Sequence, residues 1–247
     1  MAASTVSISA VGAFVGLVAG LFGKGGSALA TPLLHLAGVP ALIAVASPLP
    51  ATVPGTALAA LTYSRQGFID RRVLGWTIAG GLPATVIGAL ATRWIGGGPL
   101  IVITDVVVAG LGLRFLLRPT VDRPARATPP GRVVLLTLAV VVGLISGLLA
   151  NSGGFLLAPL FMAVLGMPLK PALGTSLAAA CALAVPGTLV HVALGHVDWT
   201  VVAAFGLASI PLSVVGARLG TRSDARLLER GYGALLTGMG LALLAVA

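Results

Sequence analysis

Charge is what this sequence has least of. Only 9% of its 247 residues are Asp, Glu, Lys or Arg, and only 6 are acidic. A water-facing surface carries roughly 25% charged residues, so a soluble globular domain is excluded. Cysteine is nearly absent too. The single Cys181 rules out a disulfide framework and a thiolate metal site, and it reads as filler in a run of small apolar residues. The three histidines, His35, His191 and His196, lack metal-ligand spacing, so neither a metal nor a cofactor is expected. His191 alone falls inside an apolar run, where it either packs with a hydrogen bond or approaches a cavity. An embedded enzyme would need a cluster of acids, bases or ligands, and the apolar runs hold few polar groups. The opening MAASTVSIS lacks the basic segment of a signal peptide, so the first apolar run is expected to be retained.

What the chain has is apolar sequence interrupted by glycine and proline. It is 57% hydrophobic, has a mean hydropathy of +1.09, and contains 34 Gly and 16 Pro. That composition describes a polytopic membrane protein. The net charge of +9 comes from arginines gathered at the ends of apolar runs. They read as orientation signals, not as a nucleic-acid footprint.

Apolar runs fall near 6–22, 26–37, 42–64, 73–94 and 99–117, then near 133–150, 154–165, 171–193, 200–218 and 226–246. Between the sets lies RPTVDRPARATPPGR, a Pro- and Arg-rich linker over 118–132. Most runs suit a helix of about 20 residues crossing a core of about 30 Å. The runs at 26–37 and 154–165 are too short, and each reads as a half-helix in a broken helix or re-entrant hairpin.

The two sets repeat. Gly16, Gly20, Gly26 and Pro32 match Gly143, Gly147, Gly153 and Pro159 at an offset of 127. After one inserted residue, Gly38, Pro40, Gly67, Asp70, Pro83 and Gly88 match Gly166, Pro168, Gly195, Asp198, Pro211 and Gly216 at 128. Charge bias is opposite in corresponding loops. Arg65, Arg71 and Arg72 face a partner loop, GHVDW, without Lys or Arg, whereas Arg218, Arg222, Arg226 and Arg230 face a nearly neutral one. The expected fold is therefore all-α, with two inverted-topology repeats of about five hydrophobic segments each: 1–117, a cytoplasmic linker 118–132, and 133–247. One orientation puts every basic cluster in the cytoplasm and both termini outside, leaving only Lys24 and Arg93 elsewhere. Asp70 and Asp198 are expected to cap the helices that follow. Gly12, Gly16 and Gly20, like Gly216 and Gly220, share a helix face suited to close packing.

Two glycine-rich breaks hold matching places in the halves: Gly23-Lys24-Gly25-Gly26-Ser27 and Ala150-Asn151-Ser152-Gly153-Gly154. Broken helix in lipid is tolerated where it lines a cavity or is buried in protein, and paired breaks are the best sequence pointer to a transporter's site. Helix N-termini there offer N–H donors and a positive dipole end to an anion. Gly25, Gly26 and Ser27 begin one half-helix; Ser152, Gly153 and Gly154 begin the other. Ser27, Ser47, Asn151, Ser152, Thr175 and Ser176 add hydroxyl or amide donors, or else simply bond to neighbouring backbone. Lys24 either complements an anion's charge or snorkels to the interface. The P-loop pattern fails there, because Val18 stands where its first glycine belongs and Lys24 is not followed by Ser or Thr. Asp105, a carboxylate well inside an apolar run, reads as a proton relay for coupling or as a partner of Arg93.

GLVAGLFGKGGSALATPLL and GLISGLLANSGGFLLAPLF resemble the glycine-rich repeat of the TauE/SafE sulfite exporter family. The stretch Gly174-Thr175-Ser176-Leu177 and the Val-Asp-Trp loop at 195–199 extend the resemblance to nearly the whole chain. It implies a multi-pass permease of the cell membrane moving a sulfur-containing anion such as sulfite, a sulfonate or sulfoacetate. The sequence departs from the pattern at Lys24, Ser27, Asn151 and Ser152, and at Ala46-Ser47-Pro48-Leu49, which replaces a GTSL-like stretch. A secondary transporter for a small anion is the expected function, with an anion channel as the alternative and an embedded enzyme behind it. Partners would be the anion, membrane lipid and coupling protons, not nucleic acid. A monomer is the simplest assembly.

Overall fold

The computed structural model describes residues 4–22, 27–95, 99, 106, 110, 113, 131–150, 152, 154–224, 226–228, 230, 231, 234, 237 and 238, with the backbone alone for Ser27, Ala28 and Phe155. Among the described residues every regular element is helical. They are α1 (Thr5–Leu21), α2 (Ser27–Leu36), α3 (Ala41–Ala46), α4 (Pro48–Ser64), α5 (Arg71–Ala91, ending in a 3-10 turn, Thr92–Trp94), α6 (Arg132–Leu148), α7 (Gly154–Ala163), α8 (Leu169–Ala193) and α9 (Trp199–Arg222). Among the described residues, four stretches are long and apolar enough to cross a membrane: Ala41–Ser64, Arg71–Trp94, Leu169–Ala193 and Trp199–Arg222.

Helix boundaries follow local chemistry. Asp70 and Asp198 cap α5 and α9 as expected. The Asp70 carboxylate accepts from the N–H groups of Arg72 and Val73 at 2.9 and 3.0 Å, and Asp198 accepts from Thr200 and Val201 at 2.8 and 3.3 Å. Ahead of each cap, α4 and α8 end on Gly67 and Gly195, whose φ values of +75° and +71° suit glycine. The apolar run at 42–64 is not one regular helix, because Pro48 has no N–H to give to the Ala44 carbonyl. One rung is lost at Ser47, which keeps helical dihedrals (φ −63°, ψ −27°), so α3 and α4 continue each other. The matching part of α8 lacks that proline and runs unbroken.

Helix bounds recur at fixed offsets along the chain. Shifted by 127, the bounds of α1 and α2 become those of α6 and α7; shifted by 128, those of α5 with its 3-10 turn become those of α9. Packing crosses between the halves. On α1, Gly12, Gly16 and Gly20 lie against the carbonyls of Phe205, Ser209 and Ser213 on α9, while Gly216 and Gly220 lie against Leu17 and Leu21. On α6, Gly143 and Gly147 lie against Gly81 and Thr85 of α5, and Gly88 lies against Leu144. These glycines bring helix backbones into direct contact, the role their spacing implies.

Contact order gives the helix directions. Residue numbers rise together across α1–α9 and α5–α6, so both pairs are parallel. Ala51 beside Gly206, and the Gly55 carbonyl accepting from Ser213, make α4 parallel to α9; Gly81 beside Leu183 and Thr85 beside Gly187 make α5 parallel to α8. Across α4–α8 the numbers run oppositely: Leu49 lies by Gly187, the Val53 carbonyl by the Cys181 thiol, and Tyr63 by Gly174. Hence α1, α4 and α9 point one way and α5, α6 and α8 the other. A chain leaving α1 at its far end and entering α3 at the near end must return through α2, so α1 and α2 form a hairpin, not one interrupted helix. The same holds for α6, α7 and α8.

Candidate functional site

The short helices position the candidate site. Each has ten residues, a length of about 15 Å, which is half a bilayer core of about 30 Å. Running back from opposite ends, α2 and α7 start deep in the protein, at Ser27 and Gly154. Buried surroundings accompany the second start: Ser152 is fully buried, Gly154 is buried, and Leu149, Ala150, Leu157 and Ala158 are fully buried around it. Ala150 has φ +44°, a left-handed conformation uncommon for a residue with a Cβ, immediately ahead of the break. At the matching position of the first half the sequence has Gly23.

The other sequence-predicted residues fall into three groups. Lys24, Gly25, Gly26, Asp105, Asn151 and Gly153 lie outside the described residues. Ser47 and Thr175, fully buried counterparts at the 128 offset, hold the halves together. The Ser47 hydroxyl accepts from the Asp198 N–H at 3.0 Å, and the Thr175 hydroxyl accepts from the Asp70 N–H at 2.9 Å. Each therefore ties a break-bearing half to the helix cap of the other, at opposite ends of the protein. Ser176, also fully buried, donates to the Leu173 carbonyl of its own helix at 2.8 Å.

Several polar groups near the breaks were missed in the sequence. A cavity of ≈ 20 Å³, about the room one water needs, lies between α1, α4 and α9 beside Gly16 and Gly20, lined by Thr52, Thr56, Ser209 and Ser213. The i, i+4 spacing of each hydroxyl pair on one helix face was the available signal. Three of these protons are committed: Thr52 donates to the Pro48 carbonyl (3.0 Å), Thr56 to Thr52 (2.7 Å), and Ser213 is shared between the Ile210 and Gly55 carbonyls (2.7 and 3.0 Å). Those three hydroxyls therefore present lone pairs to the cavity. In the first half, the counterpart of Ser213 is Thr85. Its hydroxyl is fully buried beside Gly147 and Gly187 and has no hydrogen-bond partner among the described residues. Such groups are rare and call for a water or a ligand.

Each half also carries a polar clamp on the helix end before its break. Tyr63 donates to the Leu21 carbonyl at 3.4 Å, and its counterpart His191 lies 3.3 Å from the Gly147 carbonyl through Nε2. A carbonyl only accepts, so Nε2 carries the proton, and the Nδ1 of a neutral His191 then accepts from His196 Nδ1 at 3.2 Å. His191 is thus a buried, hydrogen-bonded histidine. Burial pushes His196, in the loop before α9, below its ordinary value. Among the described residues no three His, Cys, Asp or Glu side chains gather where a metal would sit.

Charge is distributed by end. The helix directions collect Arg65, Arg71, Arg72, Arg132, Lys170, Arg218 and Arg222 at one end, and leave Arg93, stacked on the Trp94 ring at 4.1 Å, at the other. Lys170 binds the Thr221 carbonyl at 2.9 Å, tying the start of α8 to the end of α9.

The sequence profile described as "Sulfite exporter TauE/SafE" matches residues 8–243. The chain belongs to the TauE/SafE family. Among curated proteins it is similar to the "Probable membrane transporter protein YjnA" of Bacillus subtilis, 28% identical over 97% of this chain and 100% of that protein. It is likewise similar to a "Probable membrane transporter protein" of Xylella fastidiosa, 30% identical over 93% of this chain and 91% of that protein. No solved structure matches the chain significantly. Family membership and the apolar helices make this an integral membrane protein of a transporter family.

Proposed function

We propose that this TauE/SafE protein is a secondary transporter that moves a small sulfur-containing anion across the cell membrane by alternating access. The anion site is formed where α2 and α7 begin at the two glycine-rich breaks. The observation that carries this reading is the pair of ten-residue helices running back from opposite ends, each preceded by a glycine-rich break. Their first N–H groups lack intrahelical partners and their dipoles present positive ends, the complement an oxyanion needs when it leaves water. Lys24 supplies the charge, and Ser27, Asn151 and Ser152 with the glycines beside them complete the donor set. Thr85 adds a hydroxyl whose bonding capacity is unspent. Asp105 is either the coupling carboxylate or the partner of Arg93.

The two halves are read as an inverted-topology repeat. Support comes from the matching helix bounds and from corresponding helices that point in opposite directions: α1 against α6, α4 against α8, α5 against α9. The basic end is assigned to the cytoplasm on the preference of Lys and Arg for that side, which puts the start of α1 outside. The monomer is the functional unit, because the cross-half packing is complete within one chain.

Proteoliposomes holding the purified wild type or Lys24→Ala test the reading. Uptake of sulfite, sulfate, thiosulfate and a short sulfonate is measured with and without a pH gradient. Saturable uptake of one anion by the wild type, at least tenfold lower in Lys24→Ala, is the expected result. Uptake unaffected by the substitution removes Lys24 from the site, non-saturable flux favours a channel, and no uptake of any sulfur anion overturns the substrate class.

A further inference from the structure

At the basic end, α4 and α9 do not close completely against each other. Between them is a groove of ≈ 300 Å³, lined by Leu58, Leu61, Thr62, Arg65, Val214 and Arg218. Its apolar part faces outward: Leu58 and Leu61 are 44% and 49% exposed. Both arginines are exposed, and no carboxylate lines the groove. Its chemistry is therefore layered. Aliphatic side chains occupy the part that lies within the bilayer, and two guanidinium groups sit where α4 and α9 end.

The repeat supplies an internal comparison. At the 128 offset, Leu58, Leu61, Arg65, Val214 and Arg218 correspond to Pro186, Leu189, Ala193, Val86 and Leu90. The matching faces of α8 and α5 are thus wholly apolar at the other end, with Leu189 66% and Leu90 39% exposed. Those faces suit acyl chains alone, whereas the α4–α9 groove adds paired cations.

We propose that the α4–α9 groove is a binding site for an anionic phospholipid, its headgroup phosphate held by Arg65 and Arg218 and an acyl chain lying along Leu58 and Leu61. Guanidinium groups match phosphate in geometry as well as charge. Basic pockets between membrane helices on the cytoplasmic side bind such headgroups. Bound there, the lipid bridges α4 of the first half to α9 of the second.

Native mass spectrometry of the purified full chain in detergent tests this, because orientation in a membrane plays no part. The protein is titrated with phosphatidylglycerol, with phosphatidylcholine of the same acyl chains, and with phosphatidylglycerol in the presence of millimolar inorganic phosphate. The wild type should retain phosphatidylglycerol preferentially. Arg65→Ala with Arg218→Leu, which writes the counterpart residues into the groove, should weaken it about 10- to 30-fold. Arg71→Ala with Arg72→Ala, at the same end but outside the groove, should change it less than about threefold. Equal retention by wild type and the groove variant overturns the proposal, as does equal binding of phosphatidylcholine. Displacement by free phosphate would reassign the arginines to a soluble anion. If the double variant fails to fold, Arg65→Ala and Arg218→Leu carry the same test singly, each expected to weaken binding about fivefold; no effect of either is again a refutation.

Discussion

Adding one methyl group at Gly20 should separate two helices. An ideal Cβ there would collide with the Ser213 carbonyl and lie 2.7 Å from the Ala217 nitrogen, whereas ordinary contact begins at 3.4 Å. Both obstacles are backbone of α9, so no side chain can swing away, and the α1–α9 interface must open by about 0.7 Å or more. Overpacking of this kind costs about 1–3 kcal/mol. The helix-propensity gain of Gly→Ala, about 1 kcal/mol, offsets part of it, leaving a net loss of roughly 1–2 kcal/mol. Gly147→Ala meets the Thr85 carbonyl, and the Ala89 nitrogen at 2.6 Å, so the matching α5–α6 interface should respond alike. Gly75→Ala is the control, since its Cβ meets nothing within 4 Å and should be neutral or stabilising. Reversible unfolding in mixed micelles titrated with sodium dodecyl sulfate ranks the three. If Gly20→Ala proved as stable as Gly75→Ala, the backbone-to-backbone packing of α1 on α9 would be wrong.

Thr85→Val removes a buried hydroxyl without a described partner and should leave stability unchanged or raise it by up to about 1 kcal/mol, while anion uptake falls; unchanged uptake would separate Thr85 from the site. Ser47→Ala and Thr175→Val each strand the N–H of a capping aspartate and should cost about 1–2 kcal/mol apiece by the same unfolding titration. Ala150→Gly relieves a positive φ and should gain about 0.5–1 kcal/mol. Because burial lowers His196, the folded protein favours its neutral form. That contribution is full above pH ~6.5 and is lost as pH falls from there through the folded value. The thermal midpoint should decline over that window, and less in His196→Gln.

Much of this protein was written in local chemistry. Asp70 and Asp198 cap because a carboxylate two or three residues ahead of free N–H groups needs no distant partner. Gly67 and Gly195 end helices because glycine tolerates positive φ, and the short runs after the two breaks became ten-residue helices because so few apolar residues follow each break. Even the facing of Gly12, Gly16 and Gly20 could be read from their spacing. The exchange of partners could not: α1 packs on α9 and α6 on α5, so each half completes the other, and only the meeting of two surfaces selects that pairing. The same is true of Ser47 and Thr175. Their sequence context offered two readings, a donor to an anion or a bond to neighbouring backbone, and only the tertiary structure set each beside the N–H of an aspartate more than a hundred residues away. Thr85 and the Thr52–Thr56 face looked like ordinary helix interior until neighbouring helices decided which hydroxyls kept a partner and which bordered a cavity. Composition and short-range periodicity thus determined that the chain would be a helical membrane protein broken twice. Which helix faces meet, and therefore which polar groups remain unspent, depended on backbone approach distances that exist only once all the helices are packed.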